Sequence, residues 1–479
     1  MASEACEGES RPEETGNDQM QKKQSTIFPK LTRMEMAYLL LCFCIYLFWM
    51  MTFTMWEYGP DEYMRYDIPK FIFTNGALPI GPEESIRNPI WGISYGFTIS
   101  LTYILEACFM WIASLFSGSE TVLLLSARFV NVLSAVGTTY FAMLIAKRKM
   151  PGNALRWVFI TLMSLLPQIV FLASYVNNDT FSLLTVAMIL YGWIVCLERQ
   201  WDIPALAFLS VGLGLCLLSY YFAYSYVLMT VFVYVAWHLL HKEGRSFATF
   251  IKKGLLILLI AFAISGWFFV RNAILYNGDI FSLNASRPYA EMYAMGAYKP
   301  SMRRTVAGSG IGVVEMLIKS SWIRGTYKSM IGVFGYLATQ LPSIIFMGYT
   351  AVFAIGAVGA LAKAVSVLAR GQGLDHHKDS AIIWGGMVLA SMVTVGISVY
   401  FSWSYNYQPQ GRYIIVAMPC LSLMTATGWD WWMEKLGKHA AQMPRLCGNA
   451  RQGFAYLVFG FNLISVFLGY LICLKAFVY

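Results

Sequence analysis

The chain has 479 residues, of which 58% are hydrophobic and 13% are charged. Soluble globular domains carry roughly 25% charged residues, so this composition excludes an ordinary soluble protein. The formal net charge of +9 comes from short basic loops between apolar runs. That distribution follows the positive-inside rule of membrane proteins and is not the pattern of a nucleic-acid-binding surface. The nine cysteines include no CxxC pair, which argues against a zinc site or a disulfide framework.

Residues 1–34 are polar, with acidic residues first and basic residues near position 30. They predict a disordered cytoplasmic tail that ends in a basic anchor. From residue 35 onward, apolar runs of about 20 residues recur to the end, which is the signature of transmembrane helices. We therefore expect an all-α polytopic membrane domain over 35–479.

Twelve apolar runs are candidates for spans. They lie at 37–56, 93–116, 122–146, 155–175, 180–198, 203–219, 223–240, 254–276, 342–369, 381–403, 412–429 and 453–474. The basic loops around 147–149, 242–253, 370–378 and 435–451 are expected in the cytoplasm. With the N-terminus inside, these loops share that side only if one early run does not span.

The run 93–116 is the one that we expect not to span. It carries Glu106 in its middle, is rich in Gly, Ser and Thr, and has no strong basic anchor. We expect it to lie in the interface or to re-enter on the outer side. About eleven spans remain, and the loops 57–121 and 277–341 then share the outer face. The second of these loops is expected to form a partly helical lid.

The segment 58–67, YGPDEYMRYD, carries the main candidates for chemistry. Its Gly-Pro pair breaks the preceding helix, and Asp61 and Glu62 follow where a membrane helix meets water. A carboxylate pair is costly to place at the membrane surface, so Asp61 and Glu62 indicate a catalytic site. The alternative is that the two acids lie in a solvated loop. All five histidines fall in or beside loops that we assign to the cytoplasm. A base on the outer face is therefore a carboxylate, with Asp61 as first choice and Glu62 as second.

Three arginines lie at or near the outer leaflet, within or bordering a span: Arg128, Arg271 and Arg412. An arginine at a helix centre costs roughly 2.5–3.5 kcal/mol on insertion scales. Because guanidinium groups bind phosphate oxygens bidentately, the three predict a partly buried anionic ligand. The alternative is snorkelling to lipid headgroups, which fits Arg412 at the start of its run better than Arg128 inside its run.

Other polar and aromatic side chains on this face are interpreted as substrate contacts. They are Tyr58, Tyr66, Asn178, Asp179, Asn272 and Tyr413. For Asp179, capping of the following helix is a strong alternative.

A phosphate lies at membrane depth when its carrier is a lipid. We therefore expect transfer of a sugar from a polyprenyl-phosphate donor to a cell-envelope acceptor on the outer face. Asp61 deprotonates the acceptor hydroxyl, and the arginines stabilise the leaving phosphate. Direct displacement with a single base inverts the anomeric centre. The rival hypotheses are a transporter or flippase of lipid-linked or anionic solutes and a non-catalytic scaffold. The charged residues within the membrane cluster at one face and do not continue through the midplane, which favours an enzyme over a transporter.

Five short motifs occur in order between residues 35 and 430. They are DE with GALP (61–62 and 76–79), SARFV (126–130), NNDT (177–180), VRNAILYNGD (270–279) and QGRY (410–413). On these motifs the chain resembles the GT-C superfamily of integral-membrane glycosyltransferases. It is similar in particular to bacterial members related to the protein O-mannosyltransferases and the aminoarabinose lipid A transferases. The resemblance implies juxtamembrane helices in the first outer loop, Asp61 as base, a polyprenyl-phosphate donor and a bacterial plasma-membrane location.

The chain also departs from this family. No His-Pro-Pro motif follows the acid pair, which argues against protein mannosylation, and the family's YGD is one residue longer in YNGD. Some relatives use a divalent metal, and Asp61, Glu62 and Asp179 offer oxygen ligands for Mg²⁺ or Mn²⁺. The metal, the sugar and the class of acceptor (glycan, lipid or protein) stay open.

Overall fold

The computed structural model describes residues 26–54, 58–241, 246–369, 378–439 and 444–478, and within them the fold is helical apart from one short hairpin. The helices are α1 Arg33–Thr52, α2 Glu62–Asn75, α3 Leu101–Ser114, α4 Glu120–Lys149, α5 Arg156–Ser164, α6 Pro167–Leu172, α7 Asp179–Glu198, α8 Ile203–Leu217, α9 Tyr224–Leu240, α10 Phe247–Leu275, α11 Arg287–Tyr293, α12 Val313–Lys319, α13 Trp322–Gly332, α14 Ser343–Ala369, α15 Lys378–Ser404, α16 Met418–His439 and α17 Pro444–Phe477. The hairpin pairs β1 Val333–Phe334 with β2 Thr339–Gln340, antiparallel, with Val333 opposite Gln340. Short 3₁₀ turns occupy Glu84–Ile86, Tyr95–Phe97, Tyr221–Ala223, Gly296–Tyr298, Ala307–Ser309 and Gly411–Ala417.

Eight helices of the described residues are long and apolar enough to cross a bilayer: α1, α4, α7, α9 with the turn before it, α10, α14, α15 and α17. They account for eight of the eleven predicted spans. The predicted run 155–175 is instead divided into α5 and α6, and 203–219 forms the 15-residue α8. The run 412–429 starts as a 3₁₀ turn and continues as the more polar α16.

Helix α3 occupies the run that we expect not to span. Its 14 residues extend about 21 Å at 1.5 Å per residue, which is shorter than the roughly 30 Å hydrocarbon core. The helix packs with α2 and the start of α4 around a small apolar core of its own. That core consists of Tyr66, Ile68, Ile72, Ile86, Tyr103, Ala107, Met110, Leu123, Leu124, Ala127 and Val176. The first outer loop is therefore a folded unit that holds α2 in place.

The start of the chain differs in part from the predicted tail. Residues 1–25 lie outside the described residues, but 26–34 are packed against the helices and are not free. Thr32 and Glu35 form a capping box at the start of α1. Lys147 donates a hydrogen bond to the carbonyl of Lys30 at 2.6 Å and pairs with the buried Glu35 at 2.7 Å. These contacts fix the segment because they satisfy a carboxylate that is shielded from water.

A buried ion pair joins the first outer loop to the helical bundle. Nε and Nη2 of Arg128 in α4 donate to the two carboxylate oxygens of Glu62 in α2, each at 2.7 Å. Glu62 also accepts the backbone N–H of Val176 at 2.9 Å, and Arg128 donates to the carbonyl of Phe53 after α1. The two side chains are 1% and 0% exposed. Four separate parts of the chain thus meet at one bidentate pair.

Glu62→Gln is expected to lower the free energy of unfolding by about 3–5 kcal/mol, because it leaves the Arg128 guanidinium buried without its counter-charge. The measurement is the apparent unfolding temperature of the purified protein in detergent. Lys70→Met is the control, since the Lys70–Glu120 pair at 2.8 Å is exposed and such pairs contribute about 0–1 kcal/mol. Equal losses in the two variants would contradict this account of the buried pair.

Candidate active site

Asp61 lies in a left-handed turn at the start of α2, with φ 61° and ψ 14°. Aspartate tolerates this conformation better than most residues do. The turn is closed by a hydrogen bond from the N–H of Glu62 to the carbonyl of Gly59 at 3.1 Å. The position before Pro60 must be glycine because an added Cβ would lie 2.1 Å from the ring of Tyr175. The geometry sends the Asp61 and Glu62 side chains to different partners.

The partner of Asp61 is Arg412, from the 3₁₀ turn that precedes α16. Nη2 of Arg412 donates to Oδ2 of Asp61 at 2.7 Å, and Nη1 donates to the carbonyl of Pro60 at 3.3 Å. The Arg412 side chain is 4% exposed, whereas that of Asp61 is 31% exposed. Asp61 is therefore the accessible member of the pair. The Tyr413 hydroxyl accepts a further bond from Arg412 at 3.3 Å and donates to Gln408 at 2.7 Å.

Arg65, one helical turn after Asp61, is a second buried cation at this site. Its side chain is essentially unexposed, and its guanidinium carbon lies 4.7 Å from the centroid of the Tyr95 ring. Two of its nitrogens, Nε and Nη1, have no hydrogen-bond partner in the protein. Asp61 and Asp179 are both close enough to interact with its charge. Buried N–H groups of a cation are costly when unpaired, so this arrangement suits a bound anion or ordered water.

Several other buried polar atoms around Arg65 make no hydrogen bond of normal geometry within the protein, although the Tyr103 hydroxyl adjoins Arg65 and Asn178 and the Tyr175 hydroxyl adjoins Arg412. They are Nε of Arg412, Oδ2 of Asp179, Oδ1 of Asn178 and the hydroxyls of Tyr103 and Tyr175. Nearly all buried polar atoms in folded proteins are paired, so a group of unpaired ones marks a place for water or a polar ligand. We call the residues around this place the Asp61 cluster: Asp61, Arg65, Tyr95, Tyr103, Tyr175, Asn178, Asp179, Arg412 and Tyr413.

The charges of the cluster determine the ionisation of Asp61. Burial by itself would raise its pKa, but the guanidinium groups of Arg412 and Arg65 outweigh that effect and hold the pKa below its usual value. The pKa of the Tyr95 hydroxyl is raised by burial and by the Asp61 carboxylate. At neutral pH the cluster thus contains an ionised carboxylate beside a protonated tyrosine.

The structure corrects the roles predicted for Glu62 and Arg128. Both were expected to act on substrate, Glu62 as the second-choice base and Arg128 on the donor phosphate. Instead, they satisfy each other in the buried pair between α2 and α4, and neither side chain has an exposed surface. A guanidinium that already binds two carboxylate oxygens has little capacity left for a phosphate.

Three predicted substrate contacts also lie elsewhere. Tyr58 is fully buried and stacks on Phe53, with ring centroids 4.4 Å apart. Tyr66 is fully buried in the apolar core of the first outer loop. Asn272 donates to the carbonyl of Ile280 at 3.1 Å and so closes the turn after α10. These three side chains pack in the interior or close a turn, apart from the Asp61 cluster.

Arg271 lies at a different place from the Asp61 cluster. Its Nη2 donates to the carbonyl of Pro79 at 2.6 Å, while its buried Nη1 has no partner. Its neighbour Tyr276 lines a cavity of about 540 Å³ between the two outer loops. The lining residues are Ile80, Pro82, Phe97, Leu275, Tyr276, Asn277, Asp279, Asn284, Ala285, Pro288, Tyr289 and Met292. The 3₁₀ turn Tyr95–Phe97 separates this cavity from the cluster, because Tyr95 faces Arg65 and Phe97 lines the cavity.

The three carboxylates proposed as metal ligands do not converge as a group, although Asp61 and Asp179 are close enough for their charges to interact. Both oxygens of Glu62 bind Arg128, and Asp61 binds Arg412. Within the described ranges, no three His, Cys, Asp or Glu side chains form a group suited to a metal ion. The arrangement of Asp61, Glu62 and Asp179 therefore does not fit a shared Mg²⁺ or Mn²⁺ ion, and we derive no chemical step from one.

Arg65, Tyr95, Tyr103 and Tyr175 were not among the predicted site residues. For Arg65 a signal was present, because residues i and i+4 of a helix lie on the same face and Arg65 follows Asp61 by four. The three tyrosines come from separate segments and meet only in the folded chain.

No protein-family model matches the chain, and no curated protein matches it by sequence. Solved structures with a similar fold include the oligosaccharyltransferase of Archaeoglobus fulgidus tethered with an acceptor peptide, with a TM-score of 0.55 at 15% identity, over 92% of this chain and 55% of that one. AglB of the same organism, in complex with an inhibitory peptide and a dolichol-phosphate, has a TM-score of 0.51 at 13% identity. The similarity covers 93% of this chain and 56% of that one.

A bacterial structure is similar over more of its own length. ArnT from Cupriavidus metallidurans bound to undecaprenyl phosphate gives a TM-score of 0.51 at 13% identity, over 92% of this chain and 76% of that one. The chain spans little more than half the length of the archaeal enzymes. Another structure of the Archaeoglobus enzyme is a complex with Zn and sulfate. These similarities show that the chain shares the fold of the oligosaccharyltransferase and ArnT structures, in agreement with the resemblance in its sequence motifs.

Gly59→Ala is expected to displace the turn that carries Asp61, because the new methyl group overlaps the ring of Tyr175. Overpacking of this kind costs about 1–3 kcal/mol, and we expect a lower apparent unfolding temperature together with loss of any activity that depends on Asp61. Gly118→Ala is the matched control, since no atom lies within 4 Å of the position that its new Cβ would take. Unchanged stability and activity of Gly59→Ala would contradict the tight packing of this turn.

Proposed function

We propose that this protein is a glycosyltransferase that moves a sugar from a polyprenyl-phosphate donor to an acceptor at the outer face of the membrane. The observation that carries the proposal is the Asp61 cluster, in which an accessible carboxylate adjoins two buried guanidinium groups with unpaired N–H groups. Its location on a GT-C fold supports this chemistry. The acceptor class, the sugar and the lipid are open.

Asp61 is the proposed general base. Its carboxylate is partly exposed and ionised, so an acceptor hydroxyl that approaches from the solvent side can transfer its proton to it. The contact with Arg412 lowers its basicity, and a ligand anion that draws Arg412 away would raise it again. Attack by the deprotonated hydroxyl breaks the bond between the anomeric carbon and the phosphate oxygen, and a single displacement inverts that carbon.

Arg65 and Arg412 are the proposed binding groups for the lipid phosphate, and Arg65 takes the role first given to Arg128. Both guanidinium groups have buried N–H groups that make no hydrogen bond of normal geometry within the protein, and these donors would stabilise the anionic leaving group as it forms. The cavity beside Arg271 is the proposed route for the lipid-linked donor. Its rim is apolar, with Ile80, Leu275 and Met292 all at least 40% exposed, which suits a prenyl chain.

The topology in this proposal has eleven spans. It adds the α5–α6 pair, α8 and α16 to the eight long helices, which places the basic loops in the cytoplasm and the cluster outside. The location that follows is a plasma membrane whose outer side carries the acceptor, as in a bacterium.

Asp61→Asn is expected to lower sugar transfer about 10²–10⁴-fold, because the amide cannot accept the hydroxyl proton. The assay uses purified protein in lipid nanodiscs with a panel of undecaprenyl-phosphate sugars and measures release of undecaprenyl phosphate. Asp67→Asn is the control, since it changes a carboxyl on the same helix outside the cluster. Full turnover by Asp61→Asn would remove Asp61 as base. Movement of the lipid-linked sugar across a bilayer without its release would support the flippase hypothesis instead.

Arg412→Gln is expected to shift the pH dependence of transfer. In the wild type the lowered pKa keeps Asp61 ionised, so activity declines only as the pH falls below the usual carboxyl range. Without Arg412, Arg65 alone of the two guanidinium groups still opposes the effect of burial, so the pKa of Asp61 rises and the acid limb of the rate profile moves to higher pH. Arg412→Lys retains the charge and should keep the acid limb near its original place. An identical acid limb in wild type and Arg412→Gln would exclude Asp61 as the titrating base.

A further inference from the structure

The pair of short helices α12 and α13, which we call the α12–α13 hairpin, has one buried and one exposed apolar face. Met316, Trp322 and Met330 are buried, at 0%, 3% and 5% exposure. On the other side, Val314 is 68%, Ile318 71% and Ile323 57% exposed. These exposed side chains belong to the loop between two spans and not to a spanning helix. A monomer in water would leave this surface uncovered at a cost in free energy.

A contact with α14 relates the position of the hairpin to that candidate span. The hydroxyl of Tyr327 in α13 is 2.8 Å from that of Thr350 in α14. Thr350 is seven residues after the first residue of α14, Ser343, or about 10 Å along the helix axis. The 27 residues of α14 extend about 40 Å, roughly 5 Å beyond the hydrocarbon core at each end. A bilayer centred on α14, with the helix along its normal, would therefore place Thr350 and its contact Tyr327 about 5 Å inside the edge of the hydrocarbon core, next to the headgroup region.

The charges of the hairpin complement an anionic surface. Residues 313–332 contain three basic side chains and one acidic side chain, Glu315, which pairs with Lys319 at 2.9 Å. Arg324 is exposed next to Ile323, and Lys328 donates to Gln340 at 3.2 Å beside the first turn of α14. An exposed apolar row flanked by basic residues is the composition of helices that lie in a membrane interface. Basic residues in that position are attracted to anionic headgroups.

We propose that the α12–α13 hairpin is a lipid-binding surface, with Val314, Ile318 and Ile323 at the acyl boundary and Arg324 on the headgroups of anionic phospholipids. The surface is independent of the sugar-transfer proposal, because it is defined by exposure, depth and charge outside the Asp61 cluster. Its partner is the bilayer itself, and not a second protein.

The same hairpin is fixed to the segment that leads to Arg412. Ser329 of α13 accepts the N–H of Gly411 at 2.6 Å and donates to the carbonyl of Pro409 at 3.4 Å. A Cβ at Gly411 would lie 2.1 Å from the backbone nitrogen of Met330, so the two backbones are in direct contact. The lipid-binding surface and the partner of Asp61 are thus connected through a single helix.

The test measures the environment of position 323 in the full-length protein. Ile323→Cys, in a background with the native cysteines replaced by Ala, is labelled with an environment-sensitive fluorophore. The protein is placed in nanodiscs of phosphatidylcholine, with or without phosphatidylglycerol, that contain a lipid with a nitroxide near its headgroup. We expect a blue-shifted emission that the nitroxide quenches, and stronger quenching when phosphatidylglycerol is present. Arg304→Cys, an exposed position earlier in the same loop, serves as the label control and should be quenched less.

Charge reversal tests the headgroup contact. In the labelled protein, Arg324→Glu should remove the additional quenching caused by phosphatidylglycerol, since one basic residue near the surface changes the partition about fivefold. Arg287→Glu, an exposed basic residue of the same loop outside the hairpin, should leave it in place. Retained apparent unfolding temperatures show that the variants are folded. Two results would overturn the proposal: an unquenched, water-exposed label at 323 in both lipids, or a label that becomes protected only in native membranes, which would assign the surface to a protein partner.

Discussion

The arrangement of the segment around Asp61 depends on the burial of Glu62 together with Arg128. Neither charge is stable alone at that depth, and their bidentate contact makes the burial of both tolerable. Because Arg128 is in α4, Phe53 follows α1 and Val176 precedes α7, the pair fixes α2 relative to the bundle. The turn at the start of α2 is thereby also held in a fixed position. Asp61 can therefore be held in a defined place on a segment that is otherwise a surface loop.

Asp61 and Glu62 are adjacent in the sequence but differ in their burial and in how completely their charge is compensated. Glu62 is fully buried and has all of its charge compensated, whereas Asp61 is partly exposed and shares a cation that has other neighbours. The Asp61 cluster contains equal numbers of acidic and basic side chains, yet several of its buried N–H and C=O groups have no partner. Such a site has the polar groups for an anionic, hydrogen-bonding ligand already in place, which reduces the reorganisation that binding requires.

Composition and periodicity predicted the helical membrane fold, and the motifs predicted its GT-C architecture. The contact between Asp61 and Arg412 joins residues that are about 350 positions apart, and both belonged to motifs that the sequence placed on one face. Arg128 was assigned to a phosphate because an arginine inside an apolar run must have an anionic partner. The sequence could not show that the partner was Glu62. The three remaining runs are shorter or more polar than the others. Hydropathy alone could not decide how many of these three cross the membrane.

The 3₁₀ turn Tyr95–Phe97 forms the wall between two compartments. The ring of Tyr95 faces Arg65 in the Asp61 cluster. The ring of Phe97, two residues later in the same turn, lines the cavity beside Arg271. A ligand that displaced Phe97 would therefore also displace Tyr95. If a ligand in the cavity displaces this turn, occupancy of the two compartments would be thermodynamically linked, and by reciprocity each ligand would change the affinity for the other by the same factor.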